Sequence, residues 1–322
     1  MHRLISILFL SLLISCGDSD SEDQNSNNSD TNNDFPSYVD SNNLRIFARK
    51  GVSTTFLNNV GLAYNEMFKA NSNIDQSMKS KYLSTSKDRY VYQRVGVDGM
   101  ANDSNFDSGT PPKPYGDNAT DYIWEMSSGG ADQIGEVVEH LLHTMTAVVL
   151  YLSYSDWDYK NSSSPLYLAM REAVDKNIYD ISSYSGLKND EAYERIITQE
   201  YAYWLILAEW NYFVTAGKKE NGMTGNGEFT IGTPSEVQTQ LPLGHMLYKD
   251  YVEKIKAKPG QIKIDIKDGW YHEWHMGKKP FKVKGAMTLH DCPDVFIDNN
   301  GRVTNPISVS YTHLTLPTIL LV

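Results

Sequence analysis

Apolar residues recur at steps of three and four over two long stretches, and these predict the principal helices of the chain. The first is Gln133 to Leu152, QIGEVVEHLLHTMTAVVLYL. Wound as a helix, it places Gln133, Glu136, His140, His143 and Ala147 on one stripe, and Val137, Val138, Leu141, Leu142, Met145, Val148 and Val149 around most of the remaining circumference. A helix that is apolar on most sides belongs in a core, so its polar stripe is expected to be buried with it. The second stretch, Asp190 to Tyr212 (DEAYERIITQEYAYWLILAEWNY), is similarly apolar and has a cap in Asn189 or Asp190.

Shorter helical patterns cover Thr54 to Lys69, Asp75 to Leu83, Leu166 to Asn177 and Pro242 to Lys256. Leu44 to Ala48 and Tyr90 to Val95 read as strands. From Ile262 onward the chain alternates in short β-like pieces, with a hairpin signal at Asp298 to Gly301. Gly, Pro, Asn and Asp crowd the segment from Gly96 to Tyr122, which predicts a long ordered loop, and Asp117 to Asp121 within it reads as a turn. No internal repeat or separating linker is visible. The expected fold class is mainly α with minor β (α+β), a single globular domain built on two long buried helices.

The ends of the chain differ from its middle. Met1-His2-Arg3 precedes an apolar run, Leu4 to Ile14, which is too short to span a bilayer but suits the core of a signal peptide. The run ends in Leu13-Ile14-Ser15-Cys16, which resembles a bacterial lipoprotein signal; the resemblance implies a signal peptide over 1–15 and lipidation of Cys16. Residues 16–43, rich in Ser, Asn and Asp, then read as a disordered tether, leaving 44–308 as the folded domain. On this reading the protein sits in the bacterial cell envelope, extracytoplasmic and attached to a membrane through its N-terminal lipid. At the other end, VSYTHLTLPT resembles a translated sequencing adapter, so 309–322 are set aside as adapter-derived.

Composition narrows the partners. The formal charge of −11 argues against a nucleic-acid partner, since phosphate binding needs clustered Lys and Arg. Of the 2 cysteines, acylation would consume Cys16 and leave Cys292 without a disulfide partner, so stability is expected from the core or from a metal.

Candidate chemistry concentrates on the first long helix. Burying a carboxylate and two imidazoles without compensation costs several kcal/mol. The compensation is either a metal or a hydrogen-bonded core network. In Glu136-x-x-Glu139-His140-x-x-His143 the spacings of three and four let imidazole and carboxylate ligands converge on one ion, with zinc as the expected cofactor. Glu139, a quarter-turn from His140, is the candidate base for a metal-activated water. On the second helix Glu200 projects from an apolar face between Ile196, Ile197, Tyr203 and Trp204, as a third ligand would; its alternative partner is Arg171 or Arg195.

Gln133 to Thr146 together with Thr198 to Trp204 resembles a group of secreted metallopeptidase-like (zincin-like) proteins, in which a Glu-x-x-x-His helix precedes a Thr-Glu-Tyr-Phe-Tyr-Trp-type helix. The likeness extends loosely over Leu168 to Tyr184 and Pro242 to Tyr271. It implies Glu136, His140 and Glu200 as site residues. The related pattern places its second imidazole four residues after the first, where this chain has Thr144, and His143 stands one position earlier.

The first functional expectation is a lipid-anchored zinc protein that hydrolyses peptide or protein substrates, with His140, His143, Glu200 and Glu136 at the metal and Glu139 as base. The alternative is a non-catalytic lipoprotein that keeps a structural or degenerate metal site and binds a partner through its Tyr- and Trp-rich surface.

Overall fold

The computed structural model describes residues 34–100, 109–126, 131–211 and 228–257, and the backbone of three strands between 261 and 284. Cys16, Cys292, the 298–301 hairpin signal and the 309–322 segment lie outside the described residues.

The chain opens with strands β1 (Ser37–Ser41) and β2 (Leu44–Ala48), paired antiparallel. Asn42 and Asn43 between them both have positive φ, 45° and 64°, the left-handed pair that a two-residue hairpin demands and that asparagine tolerates. The folded chain thus begins inside the stretch expected to be tether: β1 and the buried Phe35 both precede Leu44.

Helices α1 (Thr54–Glu66) and α2 (Gln76–Asp88) carry the chain from β2 to the parallel strand β3 (Tyr92–Val97). Ser53 caps α1 by accepting from the Phe56 amide, and Asp75 caps α2 by accepting from Ser77 and Met78. Strand β4 (Tyr122–Glu125) adds in parallel to β3 and completes a sheet of order β1-β2-β3-β4. It had no signature in the sequence, because four residues beside a loop rich in turn-formers show no period.

Next come α3 (Ala131–His143), α4 (Pro165–Asp175), α5 (Tyr193–Glu209), α6 (Pro234–Gln240) and α7 (Pro242–Leu247). After His143 the first long helix widens into a π segment, Thr144–Leu150, before one last α turn. Two threonines sit at this change. Thr146 Oγ1 donates back to the Leu142 carbonyl at 2.9 Å, while Thr144 Oγ1 reaches Gln93 Oε1 on β3 at 2.5 Å, and such side-chain bonds loosen the regular ladder. The same widening follows α7, over Tyr248–Val252. Strands β5 (Gln261–Ile266), β6 (Trp270–His275) and β7 (Phe281–Lys284) form a separate antiparallel sheet.

The architecture is mainly α with minor β. Its core runs along α3 and α5: Leu141, Leu142, Met145, Leu205 and Ile206 are all fully buried, each worth roughly 1.5–3 kcal/mol of apolar burial. Among the described residues no helix is long and apolar enough to cross a membrane.

Candidate metal centre

The polar stripe of α3 divides into two halves with different tasks. Its first half serves the sheet. Gln133 Nε2 donates to the Trp124 carbonyl at 2.8 Å, and its Oε1 accepts from the Met126 amide at 2.6 Å. Glu136 Oε1 accepts from the Trp124 amide at 3.0 Å. These bonds satisfy the outer backbone of the edge strand β4, which would otherwise lie unpaired. Glu136, expected as a ligand, is therefore bonded to the sheet edge, with its Oε1 3.7 Å from His140 Nδ1.

The second half faces α5. His143 is 2% exposed and offers a nitrogen on each side. Nε2 lies 3.5 Å from Glu200 Oε1, too far for a good N–H···O bond, and has no hydrogen-bond partner. Nδ1 lies 3.4 Å from Asp121 Oδ2. Glu139, His143 and Glu200 bring one ligand atom each within 4.8 Å of one another, and so do Asp121, His140 and His143. Glu139 thus stands in the cluster itself. Glu200 and His140 remain slightly open, at 16% and 14% exposure, so the cluster sits under the surface without being sealed.

The arginines that offered Glu200 an alternative are engaged elsewhere: Arg171 with Asp175 at 2.6 Å, Arg195 with the Gln199 amide oxygen at 3.0 Å. His140 Nδ1 lies 2.9 Å from the Glu136 carbonyl. A carbonyl only accepts, so Nδ1 carries a proton, and in the neutral ring the lone pair lies on Nε2.

Electrostatics tie the cluster together. Burial pushes the Glu139 carboxyl up to about 7, assisted by the like charges of Glu200 and Glu136 and opposed by the two imidazoles. Burial works against charge on His143, but the nearby carboxylates, Glu200 first and then Asp121 and Glu139, hold its imidazolium well above the usual range. Asp121 is about half exposed; local desolvation opposes its charge, and His143 overrides it, holding that carboxyl below the usual carboxylate range. Acidic groups packed this closely around one ring make a site that positive charge stabilises.

Thr144, which stands where the related pattern has its second imidazole, is fully buried and faces β3, bonded to Gln93 and 2.9 Å from Thr120 Oγ1. His143 is the residue that α3 turns toward α5. Asp121 entered the sequence reading only as the end of a turn, and Gln199 was not singled out. Asp121 ends a turn-rich loop and carries no periodic signal; Gln199 reads as an ordinary helix residue. Glu209 is outside the cluster and pairs with His245 at 2.7 Å. No protein-family model, curated protein or solved structure matches the chain.

Proposed function

We propose that the protein is a metal-dependent hydrolase of the bacterial cell envelope, held to the membrane by a lipid on Cys16, with peptide bonds as the substrate class. His143 through Nε2, Glu139 and Glu200 are its metal ligands.

The observation that carries this reading is the Nε2 atom of His143, buried, without a hydrogen-bond partner, and grouped with two carboxylates. Leaving such a nitrogen unmet costs about 1–3 kcal/mol. The 3.5 Å gap to Glu200 Oε1 is close to the ligand-to-ligand edge of about 3.3 Å that follows from zinc bonds of about 2.0–2.1 Å in a tetrahedron. One imidazole with two carboxylates suits zinc or a neighbouring first-row dication.

A bound dication would supply Lewis-acid activation of water. Three protein ligands leave a coordination position open, as hydrolytic sites require, and the partial exposure of Glu200 and His140 supports access from solvent. His140, fixed by its bond to the Glu136 carbonyl, presents a lone pair at the edge of the cluster, where it can take a proton from an attacking water or hand one to a leaving amine. Glu136 anchors that ring and the β4 edge together.

Metal analysis of the purified chain, followed by zinc titration and assay on a mixed peptide pool, tests the proposal. One zinc per chain, lost in His143→Ala along with peptide cleavage, is the expected result. A wild-type chain that takes up no dication overturns it; one that binds zinc and cleaves nothing overturns the hydrolase and leaves the metal site.

A further inference from the structure

The ring of His143 stands between two groups that could each hold a cation, but their surroundings differ. On the Nδ1 side, Gln199 Nε2 donates to Asp121 Oδ2 at 2.9 Å and lies 3.0 Å from His143 Nδ1. Arg195 donates to Gln199 Oε1 at 3.0 Å, which fixes the amide with its oxygen on the guanidinium and its hydrogens toward Asp121 and Nδ1. A cation placed between Asp121 and Nδ1 would meet those hydrogens in place of lone pairs. The Nε2 side has no such donor bonded to it. The Asp121 group is therefore better suited to holding the ring than to holding a second ion.

We propose that Asp121 is the positioning residue of the metal site, and that its charge keeps the His143 proton on Nδ1, against the competing Gln199 amide, so that Nε2 is bare for the cation. The inference rests on the reading of Glu139, His143 and Glu200 as ligands. Nδ1 can be satisfied in two ways in the neutral ring. If it accepts from Gln199, the proton sits on Nε2 and bars the ion. If it donates to Asp121, 3.4 Å away, Nε2 carries the lone pair. One proton leaves Nε2 for solvent and another joins Nδ1, so the charge of the ring is unchanged. A closure of a few tenths of an ångström brings Nδ1 and Oδ2 within ordinary N–H···O range.

Asp121→Asn keeps the shape and adds an amide hydrogen that locks Nδ1 as an acceptor. In the full chain its zinc affinity is expected to fall ten- to hundredfold, the usual effect of losing an outer partner of a metal-bound imidazole. Nitrogen-15 NMR of the ring supplies the readout that a packing role would not move: Nδ1 protonated in the zinc-loaded wild type, Nε2 protonated in the neutral ring of the metal-free variant. Gln199→Met removes the competing donor and is expected to bind zinc at least as tightly as the wild type.

Zinc binding by Asp121→Asn within twofold of wild type overturns the proposal, as does an equal loss in both variants, which would trace the effect to packing. Should Asp121→Asn not fold, Asp121→Ala carries the same comparison. If the wild type takes up no zinc, the metal reading fails separately, while the ring tautomers of metal-free wild type and variant, recorded at a pH high enough for the ring to be neutral, still decide whether Asp121 places the proton.

Discussion

His143 Nε2 and Glu200 Oε1 face each other across 3.5 Å from two different helices, α3 and α5, with the imidazole almost fully buried and that nitrogen unmet. Positions 143 and 200 lie far apart in sequence, and neither helix alone holds more than part of the cluster. The contact converts a stripe of polar residues on α3 into a site with a defined direction.

Glu200→Gln removes one anionic ligand and keeps the shape of the side chain. Its effect on zinc affinity is expected to exceed the ~10–100-fold loss typical of an outer partner, read by competition with a zinc chelator. An unchanged dissociation constant would remove Glu200 from the metal.

Moving the imidazole to the spacing of the related pattern should fail. In the double variant His143→Ala with Thr144→His, the new side chain enters the packed space where Thr144 meets Gln93 and Thr120. The side-chain amide oxygen of Gln93 then loses its donor, at a cost of about 1–3 kcal/mol, and overpacking adds to it. Chemical denaturation should show the loss, and zinc titration should show no recovery of binding. Restored binding would mean that position 144 faces the site.

Lys256 offers a test away from the cluster. It is 1% exposed, its Nζ has no hydrogen-bond partner, and the ring centroids of Phe68, Tyr64 and Tyr82 lie 3.3, 4.0 and 4.6 Å from it. Burial, with a smaller push from Lys79, holds its amine well below the ordinary lysine range, and the ring faces offset only part of that. The unfolded chain keeps its proton up to the ordinary lysine pKa, while the folded chain releases it earlier. Between those two values the unfolded state binds more protons, so this lysine makes stability rise with pH there. Lys256→Met should stabilise the protein at neutral pH by about 1–3 kcal/mol, and the gain should shrink as pH approaches 10. A gain that is constant with pH, or a loss, would place a charged lysine in the cage.

The crossing of α5 and α7 depends on one small residue. A Cβ built on Gly244 would lie 2.5 Å from Tyr201 Oη and 3.0 Å from Leu205 Cδ1. Gly244→Ala should therefore lower the unfolding free energy by about 1–3 kcal/mol despite the better helix propensity of alanine. A neutral or stabilising result in thermal denaturation would mean that the two helices separate at no cost.

The two long helices, most of the shorter ones and the strand Leu44–Ala48 were legible because apolar spacing is a local property of the chain; the cap expected at Asn189 or Asp190 was not, since α5 starts after Ala192, which makes no side-chain cap bond. The polar stripe was legible in the same way as the helices: its existence and burial follow from the period of Gln133 to Leu152. Division of the stripe did not follow. Glu136 and His143 look alike in sequence, each a polar residue on an apolar helix, yet one bonds the Trp124 amide of β4 and the other meets Glu200 of α5. Which of them faces which neighbour depends on where β4 and α5 pack, and β4 has too few residues to announce itself. The tasks of Asp121 and Gln199 were hidden for the same reason, since a turn residue and a mid-helix glutamine acquire a shared task only when a third element brings His143 between them. The sequence by itself determined which residues must be buried and that some of them are ionisable. Only the tertiary structure decided which of those buried charges meet, because meeting requires residues distant along the chain to occupy one place.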